Sequence, residues 1–346
     1  MATARHADLG TMQMLKAYNL TNDNGVSIKI TNFGGKIMSV LVPDRQGVLK
    51  DIVHGYDTPE AYTSGNPYFG AVIGRYANRI ANGHFSIDGQ TYQLNINNKQ
   101  HALHGGPMGF HNKIWESKQL GPGSLELSLM SPDGEEAYPG DLKVTVSYTL
   151  NNQNELIIDY TAATTKTTVV NLTNHAFFNL AGSGDILDHE VRINADHFIP
   201  IDEGLIPIGE IKSVEKTPFD FRTVHTIGER IDDNNDNQLL YAKGYDHTFV
   251  LNKESKKITY AAWVKEPLSG RVLEVWTTEP GLQFYSGNFL DGTDIGKSGN
   301  AYLFRSAFCL EAQHFPDSPN QPNFPSTILN PGETYKQMTV YKFGVD

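Results

Sequence analysis

Apolar residues alternate with polar ones along most of this chain, and that period of two constrains the fold more than any other feature. Leu125, Leu127 and Leu129 alternate with Ser124, Glu126 and Ser128. Val144, Val146, Tyr148 and Leu150 alternate with Thr145, Ser147 and Thr149. Val26, Ile28 and Ile30 repeat the spacing, as do Met338, Val340 and Lys342. Side chains two apart share one face of a strand, so this is the pattern of half-buried antiparallel strands. Turn dipeptides punctuate it: Asn24-Gly25, Asn82-Gly83, Asp88-Gly89, Asp133-Gly134 and Asp291-Gly292. Asp88-Gly89, between Phe85-Ser86-Ile87 and Gln90-Thr91-Tyr92, predicts a tight hairpin. No long amphipathic helix is evident; short helical turns are expected near Thr58–Tyr62. The five prolines of 316–331 read as a long, stiff surface loop. So many strands rarely stay in one open sheet, which predicts an all-β fold, a large antiparallel β-sandwich. With no linker, charge block or composition shift, residues 1–346 are expected to form a single domain.

Charge and composition exclude several classes. The formal net charge is −11, from 39 acidic residues against 28 Lys+Arg, which disfavours nucleic acid as a partner. No apolar run approaches the length of a membrane helix, so no membrane partner is expected. The lone cysteine, Cys309, permits no intrachain disulfide, and MATARHADLG lacks the apolar stretch of a secretory signal. A cytoplasmic protein is expected. Gly296-Lys297-Ser298 lacks the earlier glycine of a phosphate-binding loop, position 291 being Asp. His101 and His104 are three apart, so they face opposite sides of an extended segment, and no third metal ligand is obvious nearby.

Polar segments rich in proton-carrying and hydroxyl-binding groups remain. Gly74-Arg75-Tyr76-Ala77-Asn78-Arg79-Ile80 offers a fork of donors. His104-Gly105-Gly106 lets backbone approach a ligand closely. Thr173-Asn174-His175 sets a histidine among apolar and amide residues, which would tune its proton. In Phe308-Cys309-Leu310-Glu311-Ala312-Gln313-His314, period two puts Cys309, Glu311 and Gln313 on one face, and a carboxylate among such neighbours needs a partner or a purpose. Gly244-Tyr245-Asp246-His247 and Glu279-Pro280-Gly281-Leu282-Gln283-Phe284-Tyr285 complete the set. Asp246 and His247, adjacent in a strand, should point opposite ways.

Taken in order, these segments resemble the aldose 1-epimerases (galactose mutarotases) along nearly the whole chain, from Asn32-Phe33-Gly34-Gly35 to Asn330-Pro331-Gly332-Glu333. The resemblance implies a β-sandwich with a sugar in an open groove, and interconversion of the α and β anomers of a free aldohexose, with no cofactor and no metal in the chemistry. It implies Glu311 as base, His175 as acid and His104 near the reacting oxygens. Asn78, Arg79, Asp246 and Gln283 would hold the remaining hydroxyls, and Phe177 would cover the apolar ring face. The family commonly carries Tyr where this chain has Phe177, which bears on specificity rather than on the reaction. An unperturbed Glu–His pair would titrate near 4.3 and 6.5 and give a bell-shaped pH profile. Two other readings use the same groups: a β-sandwich glycoside hydrolase or lyase with Glu311 and Asp246 as paired carboxylates, and a non-catalytic sugar-binding module. A monomer or homodimer is expected.

Overall fold

The computed structural model describes residues 14–253 and 257–346; the N-terminal decapeptide considered above lies outside them. The alternation seen in sequence becomes a nine-stranded antiparallel sheet. Its order is Glu116–Gly121, Ser124–Ser131, Leu142–Leu150, Glu155–Thr164, Tyr335–Val345, Arg271–Thr277, Thr259–Lys265, Glu190–Ile193 and His225–Thr226. Leu142, Val144, Val146, Tyr148 and Leu150 all bury while the residues between them face outward. A five-stranded sheet runs Lys212–Ser213, His197–Phe198, Asp246–Val250, Gly281–Tyr285 and Cys309–Gln313. The C-terminal strand of the large sheet lies over Cys309–Gln313: Tyr341 donates to Leu310 O at 3.1 Å and Gln337 Nε2 to Ala312 O at 3.0 Å. Both sheets feed one continuous apolar cluster, so the layers form the expected sandwich.

Turn chemistry follows the sequence in part. Ile87 pairs with Gln90 across Asp88 (φ 51°) and Gly89 (φ 80°), a two-residue turn with both central residues left-handed. Asp133-Gly134 instead sits in the longer connection between Ser124–Ser131 and Leu142–Leu150, and Asn82-Gly83 lies in a 3-10 turn. The expected helical turn appears as a 3-10 turn at Glu60–Thr63. A short α-helix that the alternation did not signal spans Asn237–Ala242, capped by the Asp236 carboxylate accepting from Gln238 N and Leu239 N. Among the described residues no helix is long and apolar enough to cross a membrane.

The proline-rich segment departs from its reading as a surface loop. Asp317 is 1 % exposed and accepts from Ala81 N at 2.9 Å; Phe315 and Phe324 pack edge to face at 5.3 Å; Ile328–Leu329 pairs with Thr168–Val169. Two buried aromatic rings and a carboxylate satisfied by neighbouring backbone pull the segment inward, and the prolines reduce the entropy lost in ordering it. Lys297 in the Gly-Lys-Ser triplet serves the fold, donating to Asp51 at 2.7 Å and to Val53 O at 2.8 Å.

Candidate active site

Three short pairings bring distant segments to one cavity. Thr173–His175 pairs with Ala71–Ile73, Arg79–Ile80 with Ala102–Leu103, and Phe178 bridges Phe308 beside the Cys309–Gln313 strand. The last places His175 against Glu311, with Nε2 3.5 Å from Oε1. The His104-Gly105-Gly106 turn closes onto the Gly74 backbone. A Cβ on Gly105, whose φ is +82°, would sit 1.9 Å from Gly74 O, so only glycine fits there.

The resulting pocket of about 520 Å³ is lined by Asn78, Arg79, His104, His175, Phe177, Asp246 and Glu311. It therefore gathers every residue to which the family resemblance gave a role except Gln283. Gln283 stands behind the wall instead: its Nε2 donates to Asp246 Oδ1 at 2.8 Å while its Oε1 accepts from Thr248 Oγ1. Register puts Gln283 on the same sheet face as its cross-strand partners Glu311 and Thr248, and these side-chain bonds, not alternation, hold it back from the cavity at 2 % exposure. Gln283 thus positions Asp246, whose other oxygen lies 3.9 Å from Arg79 Nη1. His247 points the opposite way, into an aromatic core against Phe219 at 4.5 Å. Sequence reasoning missed Tyr68, Tyr241, Lys243 and Phe289 on the pocket wall. All come from loops or helix ends where no periodic signal exists; Tyr285 was visible only as part of its strand.

The ionisable groups of the pocket are buried and their proton affinities shift accordingly. Burial pushes the Glu311 carboxyl well above the usual carboxylate range; the Asp246 charge adds to this and Arg79 opposes it. Burial raises Asp246 as well, against the pull of Arg79 and Gln283. Burial drives His175 down to about 3, and His104 well below its ordinary value with His175, Arg79 and His111 adding to the effect. Glu311 Oε2 and His175 Nδ1 are buried without a hydrogen-bond partner. A protonated Glu311 facing a neutral His175 holds the same number of protons as the ion pair, so the pair can pass between the two forms without exchanging a proton with solvent.

His104 has a fixed role. Asn78 N–H donates to His104 Nδ1 at 3.1 Å, and His104 N–H returns a bond to Asn78 O. A backbone N–H can only donate, so Nδ1 carries the lone pair and the neutral ring keeps its proton on Nε2. This bears on metal binding. Ligand-type atoms of His104, His175 and Glu311 lie within 4.8 Å of one another, the composition of a two-histidine, one-carboxylate centre. A His104 whose free nitrogen is an N–H supplies no lone pair to a cation, so the trio lacks its third ligand. His101 turns away to accept from Asn82 N at 3.0 Å.

Phe177 is 3 % exposed and its ring lies flat against the His175 imidazole, 4.8 Å between centroids at 13°, with edge contacts from Phe69 and Tyr285. Its ring therefore steadies His175 as much as it forms the wall. Phe177→Tyr should change KM and the glucose-to-galactose preference by up to roughly tenfold, the worth of one hydrogen bond, with kcat little altered. Steady-state kinetics on both sugars together with a melting curve check this; a lower melting temperature at unchanged preference would place the hydroxyl in the packing instead.

Comparison with known proteins agrees with this geometry. The family model for aldose 1-epimerase matches residues 16–342. The chain is 50% identical over 333 residues to galactose mutarotase of Bos taurus, covering 96% of this chain and 94% of that protein. It is 38% identical over 337 residues to aldose 1-epimerase of Escherichia coli (strain K12), covering 96% of each. Among solved structures, an aldose epimerase homologue from C. elegans superposes with a TM-score of 0.90 at 32% identity, covering 96% of this chain and 99% of that one. Galactose 1-epimerase from Lactobacillus acidophilus NCFM gives 0.84 at 28% identity, with coverage of 96% and 99%. With the family model spanning nearly all of its length and relatives at half identity, the chain belongs to the aldose 1-epimerase family.

Proposed function

We propose that the protein is an aldose 1-epimerase that interconverts the α and β anomers of free hexoses such as galactose and glucose. The observation that carries the reading is the buried Glu311–His175 pair, 3.5 Å apart on the wall of a pocket of about 520 Å³. Anomerisation needs a base to take the proton from the C1 hydroxyl while an acid protonates the ring oxygen. The ring then opens, the C1–C2 bond rotates, and the roles reverse on closure. In the ion-pair form Glu311 is the base and His175 the acid; the transfer back restores the pair without any net gain or loss of protons. The Nε2–H of His104 supplies a fixed donor near the reacting oxygens. Asp246, acceptor-only when ionised and held by Gln283, takes sugar hydroxyls, and Asn78 and Arg79 hold others. Polarimetry of freshly dissolved α-D-galactose and α-D-glucose, with and without the protein, tests the activity directly: an unchanged rate of rotation for both sugars would overturn it.

The hydrolase reading finds no support among the matched relatives, which are named galactose mutarotase and aldose 1-epimerase. The binding-module reading gives no use to a carboxyl and an imidazole buried side by side on the pocket wall. Residues 1–346 act in this reading as one catalytic unit. Every group comes from a single chain, so a monomer or a homodimer suffices and no cofactor is called on. A cytoplasmic setting fits a fold whose one cysteine, Cys309, is buried and free. Arg79→Ala should lower kcat/KM by about ten- to a hundredfold, the worth of a hydrogen bond to a charged group. The fall should appear mainly in KM if Arg79 binds the ground and transition states alike, and in kcat if it orients the ring. Unchanged kcat/KM for every aldose would remove Arg79 from the groove.

A further inference from the structure

Among the described residues, one phenol ring meets both histidines of the catalytic pocket: that of Tyr68. It lies edge-on to His104, 4.8 Å between centroids at 64°, and nearly parallel to His175, 5.9 Å at 16°. A further edge contact, 5.0 Å at 62°, runs to the buried His111. The backbone fixes this placement. Tyr68 N donates to Asn66 Oδ1 at 3.0 Å, Ala71 N donates to Tyr68 O at 3.0 Å, and Gly70 N donates to His175 O at 3.0 Å. The turn that carries Tyr68 is thereby tied to the strand that carries His175.

Packing accounts for the ring but not for its oxygen. Tyr68 lines the cavity, and its hydroxyl makes no hydrogen bond among the described residues. Burial raises the pKa of this hydroxyl and, of the charged groups, Arg79 alone opposes the rise, so the oxygen lies on the Arg79 side of the pocket and keeps its proton at neutral pH. Arg79 spends its Nε on Asn98 Oδ1 at 3.3 Å and holds Nη1 3.9 Å from Asp246. A guanidinium only donates, so a sugar hydroxyl held by Arg79 accepts, and its own proton still needs an acceptor. Asp246 already has one oxygen taken by Gln283. The lone pairs of the Tyr68 oxygen are free.

We propose that Tyr68 is a further substrate-binding residue, whose hydroxyl oxygen accepts from the non-reacting sugar hydroxyl to which Arg79 donates. The inference rests on the anomerase reading above. A hydroxyl remote from C1 changes little between ground and transition states, so loss of its contact falls on KM and on the dissociation constant rather than on kcat. Tyr68→Phe keeps the ring contacts with His104 and His175 and removes only the oxygen. It should raise KM and Kd for D-galactose by about three- to tenfold, the worth of one hydrogen bond, with kcat unchanged. Of the 2-deoxy, 3-deoxy, 4-deoxy and 6-deoxy forms of D-galactose, the one lacking the contacted hydroxyl should be bound equally by the wild-type chain and Tyr68→Phe. This comparison between sugars does not depend on how much of either protein is folded. Calorimetric Kd values need no turnover, so they test the contact even where polarimetry shows no anomerisation, and failure of the anomerase reading stays distinguishable from failure of this one. Equal KM and Kd of the two proteins for galactose, or a loss of the same size with all the deoxy sugars, would overturn the proposal.

Discussion

Glu311→Gln should lower kcat by at least ~10²–10⁴, the usual contribution of general acid–base catalysis, with the protein still folded. The substitution keeps the shape and polarity of a side chain that is 2 % exposed, and removes only the capacity to take and return a proton. Because His175 Nε2 lies 3.5 Å from Oε1, the loss also leaves His175 without the carboxyl it would work with. Deletion of both groups should therefore cost little more than deletion of one, as expected of residues that act as a unit. Polarimetric rates for Glu311→Gln, His175→Asn and the double variant provide the test. Near-normal turnover by a folded Glu311→Gln protein would sink the assignment, and fully additive losses would sink the joint action of the pair.

The pH profile of kcat/KM should have a broad plateau rather than the narrow bell of an unperturbed Glu–His pair. The active population holds one proton on the pair. On the acid side a second proton adds to His175, whose burial brings that event down to about 3. On the alkaline side the last proton leaves Glu311, which burial and Asp246 hold well above 4.5. Activity should thus fall at both ends, with the acid limb moved below the ordinary histidine range by more than tenfold in proton concentration. Rates measured from the free-enzyme regime, at low sugar concentration, read these limbs directly. An acid limb centred near 6.5 would show that His175 is solvated in the working state.

Fold class was legible because the signal is local. Leu142–Leu150 and Ser124–Ser131 carry their burial pattern in every second residue, and Asp88-Gly89 carries its turn in two. The proline-rich segment misled because proline reports stiffness, not exposure; Asp317 and Phe324 are drawn inward by partners more than two hundred residues and nine residues away, Ala81 and Phe315. At the site, ionisable residues stood out among apolar neighbours, and the family's motif order named their roles. Depth was not legible: Gln283 and Glu311 are paired across one strand boundary, yet only one reaches the cavity. Nor was the tautomer of His104, which depends on the Asn78 amide twenty-six residues earlier in the chain. Tyr68 and Lys243 reach the wall through loop geometry that leaves no trace in periodicity.

The buried ionisable groups of the pocket also set where this fold is weakest. Glu311 and Asp246 bind protons more tightly folded than unfolded, so the stability they lend is complete in acid and drains away as pH rises through their elevated folded values. His175 and His104 do the reverse: the folded chain resists charging them, and stability is lost as pH falls below 6.5 toward the depressed value of about 3 for His175. The cavity is thereby a thermodynamic fault line within an otherwise well-tied sandwich, drawing on folding energy from both directions of pH. A sugar that satisfies these groups would bind the native chain alone, so substrate itself becomes a stabiliser, and the enzyme is most resistant to unfolding while it is at work.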